Sequence, residues 1–427
     1  MSILASNAVP KITHLSNGIK VATIPVLSEL STVGIWVKSG SIYENKENNG
    51  VAHFLEHVIF HGNEKYPQEQ LEKLADQKGI NLKAATSRTT TSFFALTEQK
   101  QIPQAVDILS QIVFNPSITD KVVNLEKPTI LEEEFEVAHD FNEVLWDRLH
   151  EVSFPDSSVG RPILGTKPTI TSITPKMLVE HHSKFFNPHN CYFICASKLP
   201  HEQIVEAVHK ATEFIKQCKP FNIETVDKIT KVHFSPRAQL FTSKALDRSW
   251  CGIGISGPSL SAPLYPACQL VRSIIGDVDP ASLQRPPLLE SSSIKRLSIQ
   301  YVPYNATGLL AFIGDTDFGR EQQWIDTVVK GIQRATVDLT DDDLKMGKLQ
   351  LVDKLSKNLT STVAVADDLG LNLLLAKSWR SPDQWKEIVS KITKEHMQQF
   401  AMTYLNKKPF SAVMFMPTNQ EEEKKQK

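Results

Sequence analysis

Residues 51–62 read VAHFLEHVIFHG, an apolar run into which His53, Glu56 and His57 are set. On an α-helix, positions i and i+4 lie on one face a turn apart, so His53 and His57 can offer two imidazole nitrogens to one metal ion. Glu56, three residues after His53, lies beside them within reach of a water at that ion. This HxxEH order is the inverse of HExxH. Imidazole with carboxylate suits Zn²⁺, and a catalytic zinc keeps one position open for water. The alternative is two core histidines bonded to backbone and a glutamate at a helix edge. Burying those groups without partners costs on the order of 1–3 kcal/mol each. The segment reads as a metal-binding helix.

Outward from it, strand-like and helix-like patterns alternate. KVATIPV (20–26) and VGIWVKSG (33–40) predict strands, QEQLEKLADQKG (68–79) an amphipathic helix stopped by Gly79, NLKAATSRTTTSFFALT (81–97) paired strands, and QIPQAVDILSQIVFNP (101–116) another helix. Strands able to pair antiparallel, mixed with helices rather than in strict βαβ repetition, predict an α+β fold. KQCKPFNIETVDKITKV (216–232) is polar and irregular, and it sets the predicted division: 1–218 catalytic, 219–231 linker, 232–427 a second, noncatalytic half. A repeat supports two similar halves. Ser39-Gly40 aligns with Ser256-Gly257, Ala52 then pairs with Ala267, and the His53, Glu56 and His57 positions become Cys268, Val271 and Arg272.

The 427 residues are 41% hydrophobic and 22% charged with net charge −1, so nothing global points to nucleic acid or an anionic membrane. Five cysteines form no CxxC pair and leave an odd count, which argues against a disulfide framework and for a reducing compartment. No apolar run reaches the length of a membrane span. The start, MSILASNAVPKITHLSNG, reads as neither a secretory signal nor an ordinary transit peptide.

Two histidines are too few for a zinc site, and a third ligand has to come from a distant segment. NLEKPTILEEEFEVAHDFNEVLWDRLHEV (124–152) supplies carboxylates, and Glu126 and Glu133, two helical turns apart, fall on one face. From Glu133 the acids Glu136, Asp140, Glu143 and Asp147 continue in steps of three and four, as a single stripe. Such a stripe reads either as a solvated helix face or as an anionic wall for a cationic substrate.

HFLEHVIFHG (53–62), LKAATSR (82–88), ILEEEFEV (130–137), DRLHEVSF (147–154) and GRPILGT (160–166), in this order, resemble the pitrilysin-type (M16) metallopeptidases, and most closely the branch that removes organellar presequences. The likeness extends to YNATGLLAFIG (304–314) and VADDLGLNLLLAKSW (365–379). It implies two similar halves, each a mixed, largely antiparallel sheet with packed helices, closing as a clamshell around a peptide cavity. It implies one Zn²⁺ per chain held by His53, His57 and Glu133, with Glu56 as general base and Glu126 as a supporting catalytic carboxylate. Glu143 and Asp147 fall on positions that bind an arginine upstream of the scissile bond, and Phe60 on one that packs the side chain after it. Lys83 and Ala84 match an edge strand that pairs with extended substrate, and Tyr304 a tyrosine lent by the second half.

Three departures accompany the resemblance. Lys83 replaces a usual asparagine, Ala306 replaces an aspartate in the Tyr304 motif, and Pro128 predicts that the helix starts there, displacing Glu126. The implied partners are a noncatalytic α subunit carrying a glycine-rich loop and extended, arginine-containing presequences, in the matrix of a mitochondrion or a related hydrogenosome or mitosome. Two other roles share the motifs: a self-sufficient or homodimeric bacterial-like peptidase, and a nonenzymatic core subunit of a respiratory complex.

Overall fold

Leu30–Val37 is apolar or β-branched almost throughout, and all but its first residue is buried, as expected of a strand covered on both faces. The computed structural model, which describes residues 3–5, 8–216, 232–278, 294–406 and 408–418, puts this strand inside a six-stranded sheet. In chain order the strands are β1 (Lys11–His14), β2 (Lys20–Pro25), β3 (Leu30–Val37), β4 (Asn81–Thr86), β5 (Thr91–Glu98) and β6 (Cys191–Ser197). Their spatial order is β1-β2-β6-β3-β5-β4, with β2 and β6 parallel and the other neighbours antiparallel.

Val33, Ile35 and Val37 point to one face, into a core shared with α1 (Val51–Ile59), α2 (Gln68–Lys78) and α3 (Ile102–Phe114). Trp36 points to the other, where helix Thr362–Ala376 covers it. Its indole donates to Asp367 Oδ1 at 2.9 Å. Gly370 is required at that crossing, because a Cβ there would come within 2.7 Å of the Trp36 ring.

A second sheet, β7 (Ala238–Ser243), β8 (Ser249–Gly257), β9 (Arg296–Pro303), β10 (Gly308–Thr316) and β11 (Ser411–Pro417), has the order β7-β11-β8-β10-β9. Its one parallel pair, β7 with β11, occupies the place of β2 with β6, and the five strands repeat β2 to β6 in both chain order and neighbours. The two-half α+β fold expected from the sequence is the one observed. Helix Tyr265–Ile275 follows β8 as α1 follows β3, and it carries Cys268, Val271 and Arg272 where α1 carries His53, Glu56 and His57.

The chain divides into two compact units, but not by a single cut. One contains Met1–Phe135, Arg161–Lys231 and Leu355–Pro382; the other contains Glu136–Gly160, Val232–Lys354 and Asp383–Lys427. The predicted halves therefore exchange segments, and the predicted linker 219–231 lies outside the described residues. Helix α5 (Phe141–Ser153), from the first half of the sequence, packs on the second sheet. There Leu145 and Leu149 lie over Gly252 and Gly254, whose missing side chains leave room for them. Helix Thr362–Ala376 makes the reverse exchange. Local pattern cannot report this, because an amphipathic helix shows that it needs an apolar face to cover, not which one.

α7 (Pro175–Phe185), which follows α6 (Lys167–Ser172), buries His181, whose Nε2 sits 2.8 Å from Ser39 Oγ. Burial pushes this histidine down to about 3 from 6.5. The unfolded chain thus takes up a proton below pH 6.5 that the folded chain refuses, so stability present at neutral pH is lost as pH falls. Between pH 6.5 and 5 this one group removes about 2 kcal/mol. Urea unfolding at pH 7.5 and 5 should show a smaller pH dependence in His181→Gln than in the wild type, and equal slopes would refute the assignment.

Candidate metal centre

Val51, Phe54, Leu55, Val58 and Ile59 of α1 are fully buried against the first core, each contributing about 1.5–3 kcal/mol. That face fixes the rotation of the helix and leaves His53, Glu56 and His57 together on its remaining side. The helix begins after Gly50, whose φ of +96° excludes most side chains and whose added Cβ would lie 2.5 Å from the Leu164 carbonyl. Gly50 offers no capping oxygen. Glu44 supplies one from outside the helix: its Oε2 accepts from Gly50 N and Asn49 Nδ2, both at 2.8 Å, and its Oε1 from Ala52 N at 2.9 Å. Burial raises the Glu44 pKa, and these hydrogen bonds oppose the rise. Arg161 donates to the Glu44 carbonyl at 2.7 Å and Asn49 to the Pro162 carbonyl at 2.9 Å, so the GRPILGT segment clamps the start of the helix. Glu44→Gln should cost about 1–3 kcal/mol, since one amide oxygen cannot serve donors on both carboxylate oxygens. Denaturant midpoints check this, and an unchanged midpoint would remove Glu44 from this role.

The carboxylates come from α4 (Asp120–Val137), and here the structure corrects the sequence reading. The helix does not start at Pro128 but runs through it. Proline removes only the hydrogen bond to the Asn124 carbonyl, and Glu126 is not displaced. Glu133 Oε2 lies 3.5 Å from His53 Nε2 and 3.2 Å from His57 Nε2. Glu126 Oε2 lies 3.1 Å from His57 Nδ1. The predicted acidic stripe is also broken: α4 ends at Val137 and Asp140 caps α5, accepting from Asn142 N at 2.9 Å. Glu143 and Asp147 are one turn apart on α5, in the second unit, exposed and half-buried respectively.

His53, His57 and Glu133 each present one ligand atom, all within 4.8 Å of one another, and form the metal-competent cluster among the described residues. Two neutral imidazoles and a carboxylate are the donor set of a catalytic zinc site, so these residues fit the ion. The carboxylates and imidazoles of the site also shift one another. Hydrogen bonds from His53 and His57 hold the Glu133 carboxyl far below the usual range. Burial pulls His57 down, but the Glu126 and Glu133 carboxylates more than offset this and raise it to about 9. Glu56 stands beside the cluster, its Oε2 accepting a short hydrogen bond from the Thr86 hydroxyl. Burial raises the Glu56 pKa and Thr86 opposes the rise.

β4, from which Thr86 comes, is the edge of its sheet, and its outer side pairs with no strand among the described residues. Phe60, Leu71, Leu82, Lys83 and Ala84 help to line an open cleft of about 1000 Å³ along it. Tyr304 belongs to the second unit. Its side chain is buried there, and its hydroxyl lies 2.9 Å from His150 Nε2.

Residues 20–167 match the family described as Insulinase (Peptidase family M16), and residues 172–351 match Peptidase M16 inactive domain. The β subunit of the mitochondrial-processing peptidase of Saccharomyces cerevisiae is 30% identical, over 94% of this chain and 90% of that protein. The chain belongs to the M16 peptidase family. Subunit 1 of the bovine cytochrome b-c1 complex is 25% identical, over 94% of this chain and 85% of that protein. Among solved structures, a Helicobacter pylori protease superposes with a TM-score of 0.85 at 16% identity, over 96% of this chain and 100% of that one. A chain of complex III2 from Candida albicans gives 0.84 at 19%, over 95% of both chains. Both structures share the fold.

Sequence reasoning missed three residues that the site places in contact: Glu44, Thr86 and His61. Glu44 was hidden because it caps from seven residues before the helix. Thr86 lies inside a quoted motif, but its partner Glu56 is on another element. His61 had a visible signal, the same i+4 step from His57 that links His57 to His53.

Proposed function

We propose that the chain is a zinc metalloendopeptidase that removes basic targeting presequences, as the catalytic β-type subunit working with a noncatalytic α subunit in a mitochondrial or mitochondrion-related matrix. The observation that carries the reading is the His53–His57–Glu133 cluster with Glu56 alongside, in a chain whose relatives include processing-peptidase β subunits. A purely structural subunit needs none of these residues.

In this reading His53, His57 and Glu133 hold the ion and Glu126 orients the His57 ring through Nδ1. A zinc ion bound by these residues would supply a Lewis acid for the scissile carbonyl and lower the pKa of a water beside it. Glu56 takes the proton of that water and passes it to the leaving amine. The free edge of β4, with Lys83 and Ala84, pairs with the extended peptide backbone. Phe60 receives the side chain after the cut, and Glu143 and Asp147 take the upstream arginine.

The test is cleavage of a synthetic presequence peptide with an arginine two residues before the cut, by the chain alone and with an added α subunit, alongside Glu143→Gln/Asp147→Asn. Cleavage at that bond that weakens in the double variant supports the reading. Full activity without a partner transfers it to a self-sufficient peptidase. Zinc-free, inactive protein in every combination leaves the structural-subunit role.

A further inference from the structure

Glu126 is held from two sides. Its Oε2 faces His57 Nδ1 at 3.1 Å and its Oε1 faces His61 Nε2 at 2.5 Å, so one carboxylate joins two imidazoles. All three side chains are mostly buried, with 22%, 15% and 12% of the His57, Glu126 and His61 side chains exposed. For His57 to give Nε2 to a metal, its Nδ1 must carry a proton and donate it to the Glu126 carboxylate. A mostly buried carboxylate with a single donor is short of hydrogen bonds. His61 supplies the second.

The backbone delivers His61 from a fixed place. It follows the end of α1, where His61 N bonds the Val58 carbonyl at 3.1 Å, and Gly62 turns the chain with φ +77°. A Cβ on Gly62 would collide with the Tyr66 carbonyl, so this turn needs glycine. The Gly62 carbonyl is anchored by Ser117 N at 3.0 Å, and Asn63 ties the turn to the Gln111 and Asn115 carbonyls at 2.9 and 3.1 Å. A surface histidine bonded to whatever lies nearby would not need this scaffold.

We propose that His61 is a positioning residue of the metal centre. By donating to Glu126 Oε1 it holds that carboxylate in place, and Glu126 in turn sets the ring plane and tautomer of His57. The inference rests on the metal-centre reading above, and the experiment separates the two.

Zinc affinity would be measured by competition with a chromophoric chelator for wild type, His61→Ala, His61→Gln, Glu126→Gln and the double variant His61→Ala/Glu126→Gln. The same proteins would be unfolded in excess chelator to compare their metal-free stability. His61→Ala should weaken zinc binding by about 10- to 100-fold, the usual effect of losing such a support. His61→Gln, whose amide nitrogen can replace Nε2 as donor, should recover most of it. Adding His61→Ala to Glu126→Gln should change little. Wild-type affinity in His61→Ala, additive losses in the double variant, or a loss fully accounted for by lower metal-free stability would each overturn the role of His61 alone. A wild-type protein that takes up no zinc would overturn the metal-centre reading and the inference together.

Discussion

Glu56→Gln should retain zinc at the wild-type level and lose about 10²–10⁴-fold in turnover of a presequence peptide. Glutamine keeps the size of the side chain and can still meet the Thr86 hydroxyl, so the helix and the trio beside it are undisturbed. What it lacks is a basic oxygen. The Glu56 carboxylate is mostly buried, and that burial raises its proton affinity, which suits a group that must accept a proton from water and then release it. The loss should appear in kcat rather than in KM, because the proton moves only in the transition state. A variant with full turnover would show that the base is elsewhere. A variant that also lost its zinc would show that Glu56 is part of the binding site.

The second large effect is on metal binding itself. Glu133→Ala should weaken zinc binding by more than the roughly 10–100-fold typical of losing a supporting carboxylate, because it removes an anionic ligand of the trio. Glu133 Oε2 lies close to both His53 Nε2 and His57 Nε2. Without it the trio keeps two imidazoles and no carboxylate. Glu126 cannot replace it, since Glu126 is engaged at Nδ1 of His57, on the far side of the ring. Metal content after dialysis, with free zinc buffered, measures the loss. Zinc retained at wild-type affinity would place the third ligand on another residue.

How far these roles could be read in advance differs from residue to residue. His53, Glu56 and His57 lie within one helical turn, and the 3.6-residue period places them on one side before anything else is known. The repeat of β3 and α1 by β8 and helix Tyr265–Ile275 was visible for a similar reason, as a local pattern of strand, Ser-Gly and helix. Glu133 was different. Spacing gave several carboxylates on one face of α4, and only the family resemblance chose among them. The acidic stripe failed at Asp140 because a step of three or four residues fits a helix face and a capped break between two helices equally well. Pro128 misled for a related reason, since a proline that marks a first turn can also be carried inside a long helix when packing on either side holds it.

The sequence by itself determined the α+β class, the two-fold repeat and the placing of His53, Glu56 and His57 on one side of α1, because each is written in periodicities of a few residues. Tertiary structure alone decided that Glu126 meets both His57 and His61, that Glu44 caps α1 from a distance, and that α5 and helix Thr362–Ala376 cover the sheet of the opposite half. Those outcomes depend on contacts between residues tens to hundreds of positions apart, such as Trp36 with Asp367. They are selected by steric fit and by the need to pair buried polar groups, and neither leaves a local period in the chain.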